Sequence, residues 1–197
     1  SEFIKKILRK WMKLRLQHIR VFCLHHVCEQ FDSEAMCACD WMALDEFKQK
    51  INELRNQGYE FISLTEAYEH LKKDRFRYKK YAVLTFDDGY KSLLEVLPWI
   101  EEQNIPTSLF INGKYLDGKS YRKTPKEQYL TYDELFALSS PLIEIGHHGW
   151  EHTAATEMTE EELLESLQKN MEVLSTHPRY IPFWAYTWGQ HTKSNDK

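Results

Sequence analysis

The sequence of 197 residues predicts an α/β fold in which helices cover a parallel sheet. Short apolar segments rich in β-branched and aromatic residues alternate with longer segments whose apolar residues recur at helical spacing, as is typical of a parallel sheet. Two of the apolar segments end at polar clusters that contain a glycine, and α/β folds place their chemistry at the carboxyl ends of strands. At this length we expect one domain with a substantial core.

The first half of the chain predicts three strand–helix units. The strands are expected at residues 21–26, 59–62 and 81–86, and the helices at residues 45–56, 64–73 and 90–103. The first of these helices ends before Gly58, and glycine commonly follows the last turn of a helix. Pro98 fits poorly inside a helix, so the third helix is expected to restart there.

The second half continues the alternation. Strands are expected at residues 107–111, 141–145 and 181–186, and helices at residues 131–138 and 159–174. Thr159 and Glu162 have the spacing of a capping box, which marks the start of the last helix. The loop at residues 113–127 is rich in lysine, glycine and tyrosine and is a candidate rim for a substrate site.

The N-terminal segment differs from the rest in charge. Residues 1–20 contain seven basic side chains and one acidic one, with apolar residues interleaved at helical spacing. This pattern predicts a basic amphipathic helix at residues 1–19, ahead of a domain at residues 20–197. The helix either packs on the domain with its basic face in solvent, or contacts an anionic membrane surface through residues 3–19.

The overall composition excludes several classes of protein. A formal net charge of −4 and an isoelectric point near 6.1 argue against a nucleic-acid-binding protein. No apolar run approaches the roughly 18 residues that a membrane span needs. The first segment also lacks the uncharged core of a secretory signal. We therefore expect a cytoplasmic protein, with membrane association through the basic helix as the alternative.

The expected location bears on the oxidation state of the four cysteines. Cys28, Cys37 and Cys39 lie in one predicted loop, while Cys23 lies in the first predicted strand. A disulfide or a second zinc site in the loop is one interpretation. Reduced thiols are the plainer interpretation for a cytoplasmic chain, and Cys-x-Cys is not the usual spacing of a zinc knuckle.

An acidic pair ends the third predicted strand. Residues 85–90 read Thr-Phe-Asp-Asp-Gly-Tyr. Because successive strand residues point to opposite faces, Asp87 and Asp88 can share one site only where the strand stops, and Gly89 supplies the permissive backbone for that bend. The alternative is an ordinary turn or helix cap.

A histidine cluster follows the strand expected at residues 141–145. His147, His148 and His152 lie within six residues. His148 and His152 are four apart, which is expected to place both rings on one side of a helical turn. Two imidazoles and one carboxylate form the three-ligand set of a catalytic zinc, with room left for water. The alternative for a histidine pair alone is a surface feature.

With these motifs the chain resembles the polysaccharide deacetylases that contain the NodB homology domain, carbohydrate esterase family four. The Thr-Phe-Asp-Asp-Gly motif of that family implies that Asp87 is the catalytic base and Asp88 a metal ligand. The family's histidine motif implies that His148 and His152 are the other ligands of a divalent metal, with zinc favoured. His147 replaces an asparagine of the family and is a candidate competing ligand. The resemblance also implies a distorted, incomplete (β/α) barrel.

The third family motif is weaker in this chain. Residues 184–189 read Trp-Ala-Tyr-Thr-Trp-Gly, which is closest to the subgroup similar to poly-N-acetylglucosamine deacetylases. Ala185 replaces the arginine with which many members orient the base. Aromatic residues here and after the acidic pair are the expected sugar-binding residues, namely Tyr90, Trp184, Tyr186 and Trp188.

The family's last motif, which supplies a general acid, lies beyond the end of this sequence, so the domain is expected to be short at its C-terminus. His25 is the expected substitute, because it ends the first predicted strand and should lie on the rim that Asp87 and His148 share. His26 should point to the other face of that strand, and His191 lies in a short polar tail.

The resemblance implies a metal-dependent hydrolase that removes N-acetyl or O-acetyl groups from a polysaccharide or glycan by attack of metal-bound water. One alternative is a catalytically silent, metal-containing carbohydrate-binding protein. Another is a deformylase or deacetylase of a lipid-linked sugar, which the basic helix would suit. The sequence leaves open whether the glycan is free, lipid-linked or nucleotide-linked.

Overall fold

A computed structural model describes residues 19–73 and 79–191. The predicted basic helix falls on residues outside the described ones, except for Ile19, which is the first residue of a strand. That helix and its membrane contact therefore stay predictions. Among the described helices, none combines the length and the apolar character that a transmembrane segment requires.

Strands and helices alternate along the described chain. The strands are β1 (Ile19–Leu24), β2 (His26–Cys28), β3 (Trp41–Ala43), β4 (Tyr59–Phe61), β5 (Lys80–Phe86), β6 (Thr107–Ile111), β7 (Ile143–His147) and β8 (Tyr180–Trp184). The α-helices are α1 (Leu44–Asn56), α2 (Leu64–Lys73), α3 (Leu93–Glu102), α4 (Tyr132–Ala137) and α5 (Glu160–Leu174). Short 3₁₀ helices lie at Gly113–Asp117, Ala155–Glu157 and Thr187–Gly189.

The main sheet is parallel throughout the described residues. Its strand order is β1-β5-β6-β7-β8, and β4 pairs with the beginning of β5. Strands β2 and β3 form a separate parallel pair. In this part of the chain β1 and β8 do not pair, so the sheet is not closed. The predicted α/β fold with an incomplete barrel is thus confirmed.

The central strands form the core. Strands β6 and β7 are buried along their whole length, and β5 is buried except for its first residue. Leu84, Leu109 and Ile145 from these strands pack in one cluster with Phe47 of α1 and Ile100 of α3. Such continuous burial explains why these strands read as apolar runs rather than as alternating patterns, because helices or loops cover both faces.

Helices α4 and α5 each begin with a capping box. The capping box of Thr159 and Glu162 at the start of α5 is confirmed. The prediction that the third helix begins at residue 90 and restarts at Pro98 is wrong, because α3 begins at Leu93 and contains Pro98 without a break. Residue 90 is drawn out of the helix by an antiparallel bridge to Tyr129.

The first predicted strand and the cysteine loop also differ from expectation. The strand expected at residues 21–26 is divided at His25 into β1 and β2. Cys37 and Cys39 are joined in a disulfide, so the expectation of reduced thiols is wrong for this pair. A turn brings their Cα atoms to 5.3 Å, within the usual range for a disulfide. Cys23 and Cys28 are free thiols.

Candidate metal centre

The end of β5 turns both aspartates toward one pocket. The amide of Asp87 donates to the carbonyl of Leu24, 2.9 Å away, and so keeps the chain beside β1 for one residue beyond the strand. Asp88 and Gly89 then adopt left-handed conformations, with φ of 73° and 77°. A left-handed aspartate is strained. This bend is what lets two consecutive carboxylates face the same space.

The histidine pair is presented by a loop after β7 and not by a helical turn, which corrects the prediction. Gly149 and His152 have positive φ values of 80° and 57°, which turn the chain back on itself. The side-chain amide of Asn112 donates to the carbonyl oxygens of His148 (2.7 Å) and Gly149 (3.0 Å). In an α-helix these carbonyl groups would accept hydrogen bonds from amides four residues further along the chain, so their bonds to Asn112 are evidence against a helical turn here.

Asp88, His148 and His152 form a buried group of three candidate ligands. One ligand atom from each lies within 4.8 Å of the other two. His152 Nε2 lies 2.9 Å from Asp88 Oδ1, and His148 Nε2 lies 3.4 Å from the same oxygen. His148 Nδ1 donates to the carbonyl of Ala185 at 3.0 Å, which leaves Nε2 as the nitrogen that faces the carboxylate. Two imidazole nitrogens and one carboxylate oxygen at these separations fit a divalent cation.

His147, the candidate competing ligand, is directed elsewhere. Its Nε2 lies 2.8 Å from the hydroxyl of Tyr180, and its Nδ1 lies 3.4 Å from the amide nitrogen of Asn170. His147 is the last residue of β7 and its ring therefore points to the opposite face from that of His148. The prediction that it competes for the metal is corrected on this geometry.

Charge keeps the Asp88 carboxylate ionised. Burial on its own would raise the pKa of Asp88, but hydrogen bonds from His148 and His152 and the charge of Arg122 hold that pKa well below its usual range. Burial lowers the pKa of His152 and outweighs its hydrogen bond to Asp88. In His148 the balance is reversed, because the hydrogen bond to Asp88 and the nearby carboxylates overcome burial and raise the pKa.

Arg122 is a residue of this centre that sequence reasoning missed. Its guanidinium lies 3.2 Å from Asp88 Oδ2 and 2.8 Å from His152 Nε2, and it also donates to the hydroxyl of Tyr90. Arg122 comes from the loop at residues 113–127, which was expected only to form a substrate rim. No pattern in the sequence indicated this contact, because Arg122 lies more than thirty residues beyond the aspartate that it pairs with.

Asp87 has a different environment from its neighbour. Its Oδ2 accepts a hydrogen bond from Cys23 Sγ at 3.2 Å and lies 3.9 Å from His148 Nε2. Its Oδ1 is buried and makes no hydrogen bond with any described residue. The two oxygens of Asp87 therefore differ, because Oδ2 is held by Cys23 near His148 and Oδ1 is enclosed without a partner among the described residues.

The site opens into a pocket of about 220 Å³. His25 lines it, as expected from its place at the end of β1. Tyr186 and Trp188 also line it, and Trp188 is 62% exposed and meets His152 edge-on with ring centroids 4.8 Å apart. The lining residues are Cys23, His25, Asp40, Asp87, Asp88, Arg122, His148, His152, Tyr186, Trp188 and Gly189.

Two of the expected sugar-binding aromatics do not face this pocket, which corrects their prediction. Tyr90 is 1% exposed, and its ring is stacked between His26 and Tyr129 at centroid distances of 3.7 and 5.1 Å. Its hydroxyl accepts a hydrogen bond from Arg122, so Tyr90 contacts the centre through that arginine and not through the pocket. Trp184 packs on Tyr186 at 4.3 Å and is outside the pocket lining.

Backbone strain is concentrated at this centre. Within residues 19–73 and 79–191, the non-glycine residues with positive φ are Asp88, Asn104, His152 and Trp188. Three of these four line the pocket. Such conformations cost of order 1–3 kcal/mol each and persist where the surrounding structure enforces them, which is common at functional sites.

Comparisons with known proteins identify the family and the fold. A model of the polysaccharide deacetylase family matches residues 74–195, which is more than half of the chain. None of the curated protein sequences matches. Among solved structures, IcaB from Ammonifex degensii is similar with a TM-score of 0.73 and 21% identity, over 91% of this chain and 78% of that one.

Two further structures have the same fold. The deacetylase PplD of Streptococcus pyogenes, solved in complex with acetate, has a TM-score of 0.70 and 18% identity over 89% of this chain and 76% of that one. A de-N-acetylase from Aggregatibacter actinomycetemcomitans has a TM-score of 0.69 and 19% identity, over 89% of this chain and 81% of that one. At these identities the likeness establishes the fold.

Proposed function

The chain belongs to the polysaccharide deacetylase family, and on that premise we propose that it is a zinc-dependent hydrolase that removes N-acetyl groups from a glycan. The observation that carries the proposal is the buried group of Asp88, His148 and His152 with a second carboxylate, Asp87, in the same pocket. The names of two similar structures, a deacetylase and a de-N-acetylase, support the same reaction.

Asp88, His148 and His152 would hold the metal. Two neutral imidazoles and one carboxylate are the three-ligand set on which catalytic zinc sites are built, and zinc suits nitrogen ligands better than magnesium or calcium does. The ion would polarise the acetyl carbonyl and activate water at neutral pH. The bond from His148 Nδ1 to the Ala185 carbonyl fixes the ring so that Nε2 faces Asp88 and would be the ligand atom.

Asp87 is the proposed general base. Its Oδ2 lies 3.9 Å from His148 Nε2, whereas Oδ1 is buried, so Oδ2 is the oxygen placed to take a proton from the attacking water, with the Cys23 thiol orienting it. Asp87 is nearly buried, at 8% exposure, so the proton would be received in a site with little competing solvent. The pocket geometry supports the assignment of Asp87 as the base and Asp88 as a metal ligand.

His25 is the proposed general acid, which would protonate the amine as the C–N bond breaks. It lines the pocket beside Asp87, whereas His26 faces away and is stacked on Tyr90. Burial lowers the pKa of His26 to about 4, so His26 is a poor proton donor at neutral pH. Tyr186 and Trp188 offer the apolar ring faces that sugar rings bind.

The cellular location and the membrane contact through residues 3–19 remain proposals that follow from the sequence. The disulfide between Cys37 and Cys39 favours an oxidising compartment over the cytoplasm first expected. A lipid-linked glycan and a free glycan are both candidate substrates, and the substrate panel below distinguishes them.

The experiment that tests the proposal is acetate release by metal-stripped and zinc-reconstituted protein. The panel contains an oligomer of N-acetylglucosamine, an O-acetylated glycan and a lipid-linked N-acetylated sugar. We expect release from at least one N-acetylated substrate, only with zinc, and loss of most turnover in Asp87→Asn. If zinc-loaded protein binds the oligomer but releases no acetate from any member, the protein is a carbohydrate-binding protein and the proposal fails.

A further inference from the structure

A second group of metal-ligating side chains lies beside the first. Cys23 Sγ, a ring nitrogen of His25 and a carboxylate oxygen of Asp87 all lie within 4.8 Å of one another. The sulfur and Asp87 Oδ2 are 3.2 Å apart. Two ligands of one tetrahedral zinc, each about 2.0–2.3 Å from the ion, are roughly 3.3–3.8 Å apart, so small side-chain rotations would complete the set.

The backbone explains why these three side chains meet. Cys23 lies opposite Thr85 in the register of β1 and β5, so the ends of the two strands are level. The bond from the Asp87 amide to the Leu24 carbonyl continues that register past the end of β5. Cys23 lies in β1 and His25 lies at the bend between β1 and β2, and this bend leaves the ring nitrogen, the sulfur and the Asp87 carboxylate within 4.8 Å of one another.

We propose that Cys23, His25 and Asp87 form a second divalent-metal site, weaker than the first, and that filling it stops the reaction. A thiolate, an imidazole and a carboxylate together select thiophilic ions such as zinc, cobalt or cadmium over magnesium and calcium. Cys23 is exposed, whereas Asp88, His148 and His152 are all buried. Water therefore competes more strongly for the second set, and the first set fills first.

Binding at the second site would remove the groups that the reaction needs. An ion bound there would occupy lone pairs of the proposed base, Asp87, and of the proposed acid, His25. The two sites are adjacent, since Asp87 Oδ2 lies 3.9 Å from His148 Nε2. The claim that a second ion inhibits the reaction rests on the proposed function, whereas the claim that this site binds an ion does not.

The test uses a spectroscopic signal that only the second site can give. Protein loaded with one equivalent of zinc is titrated with cobalt(II), and the thiolate–cobalt charge-transfer absorption is followed without substrate. The first site contains no sulfur, so exchange of cobalt into it gives no such band. We expect the band to saturate at one further equivalent in the unmodified protein and to be absent in Cys23→Ser, which keeps its first zinc.

Cys28→Ser is the matched control. Cys28 is the other free thiol, but it is buried in β2 and bonds the carbonyl of Gln30. The band should survive in this variant and should be lost in His25→Gln, which tests the second ligand. Acetate release by the unmodified protein should fall by roughly 10²-fold as the band saturates, because general-base catalysis has that magnitude.

Two results would overturn the site. One is the absence of a thiolate band in the unmodified protein at several equivalents of cobalt, and the other is a band that persists in Cys23→Ser. A saturated band with undiminished acetate release would overturn the inhibitory role. Because the band is read without substrate, the site is decided even if no acetate release is found, which separates this inference from a failure of the proposed function.

Discussion

At the scale of single residues, the centre depends on two consecutive aspartates that are kept in different environments. Asp88 faces two imidazoles and a guanidinium, whereas Asp87 is held at one oxygen by a thiol. The left-handed conformation of residue 88 brings both carboxylates to one pocket, because an extended chain would have turned them to opposite faces, and their different neighbours there then distinguish them. Replacing Asp87 and replacing Asp88 are therefore expected to impair different properties of the protein.

The first prediction separates the two carboxylates. Asp87→Asn should keep its zinc but lose roughly 10²–10⁴-fold in acetate release, because the amide cannot accept the water's proton. Asp88→Asn should instead lose affinity for zinc, since a charged ligand has become neutral. Metal analysis after gel filtration, together with initial rates, distinguishes them. Loss of zinc in Asp87→Asn with retention in Asp88→Asn would reverse the assigned roles.

The second prediction concerns Arg122 in the metal-free protein. Its side chain is 11% exposed and pairs with an Asp88 side chain that is 1% exposed. Arg122→Gln should lower the free energy of unfolding by about 3 kcal/mol, because it leaves a buried carboxylate without its cation. Urea denaturation after metal removal measures this effect.

The adjacent residue provides the control for Arg122. Lys123 pairs with Asp40 at 3.5 Å, and its side chain is 41% exposed. Lys123→Gln should therefore cost at most about 1 kcal/mol, as exposed ion pairs do. Equal effects of the two substitutions would show that the Arg122–Asp88 pair does not stabilise the centre.

The third prediction uses the buried ring of His26. Its pKa is lowered from 6.5 to about 4, mainly by burial, so the folded protein keeps it neutral. Above pH 6.5 the ring is neutral in both states and contributes nothing. As pH falls from 6.5 toward 4, the unfolded chain takes up the proton first and folding becomes less favourable.

His26→Gln should therefore lose less stability than the unmodified protein between about pH 7 and about pH 5, by roughly 1–2 kcal/mol. Unfolding free energies of both proteins at the two pH values test this, and the other histidines cancel because both proteins share them. An identical pH dependence of the two proteins would show that His26 is not held neutral by its surroundings.

The motif residues of the centre were predictable from the sequence, but the residues that contact and orient them were not. The residue types of Asp87, Asp88, His148 and His152 indicated a metal site, and the family resemblance implied which aspartate is the base and which the ligand. Arg122 reaches the centre from a loop more than thirty residues beyond the acidic pair, and no local pattern marks where its side chain goes. Tyr90 was misassigned for the same reason, since its burial depends on Tyr115 and Tyr129.

At the scale of secondary-structure elements, β7 sets the position of the histidine loop. Its five residues are all buried, and Gly146 lies two residues before His148. The strand itself was predicted from its apolar run, although the structure shifts it by two residues. The helical turn expected after it was wrong, because Asn112 and Ser166 bind the loop backbone from other elements. Sequence spacing alone does not contain those long-range bonds.

The fourth prediction tests this role of β7. A Cβ at Gly146 would lie 2.8 and 2.9 Å from two ring carbons of Phe110 and 3.0 Å from the carbonyl oxygen of Phe183. Gly146→Ala should lower the free energy of unfolding by about 1–3 kcal/mol through overpacking, and should weaken zinc binding because β7 shifts. Denaturant unfolding and competition with a zinc chelator measure the two effects.

Gly58→Ala is the control for that variant. Gly58 has φ of 83° and open space around it, so alanine there introduces backbone strain without a clash. It should lose about 1 kcal/mol of stability and keep its affinity for zinc. If Gly146→Ala retains the zinc affinity of the unmodified protein, β7 does not position the ligands.

At the scale of the whole molecule, a parallel sheet brings the ends of three strands to one edge. His25 follows the end of β1, the two aspartates follow the end of β5, and the histidine pair lies in the loop after β7. This arrangement was predictable, because alternating strands and helices imply parallel strands whose carboxyl ends meet. The disulfide in the β2–β3 connection was only one of the alternatives that the sequence left open, since it depends on a turn whose geometry the spacing of two cysteines does not specify.

The central claim is that Asp88, His148 and His152 bind one catalytic metal ion, and anomalous X-ray diffraction tests it most directly. Crystals of protein loaded with one equivalent of zinc are measured above and below the zinc absorption edge. We predict a single anomalous peak about 2.0–2.2 Å from Asp88 Oδ1 and from the Nε2 atoms of His148 and His152. No peak among these three atoms, or a first peak at Cys23 instead, would contradict the claim.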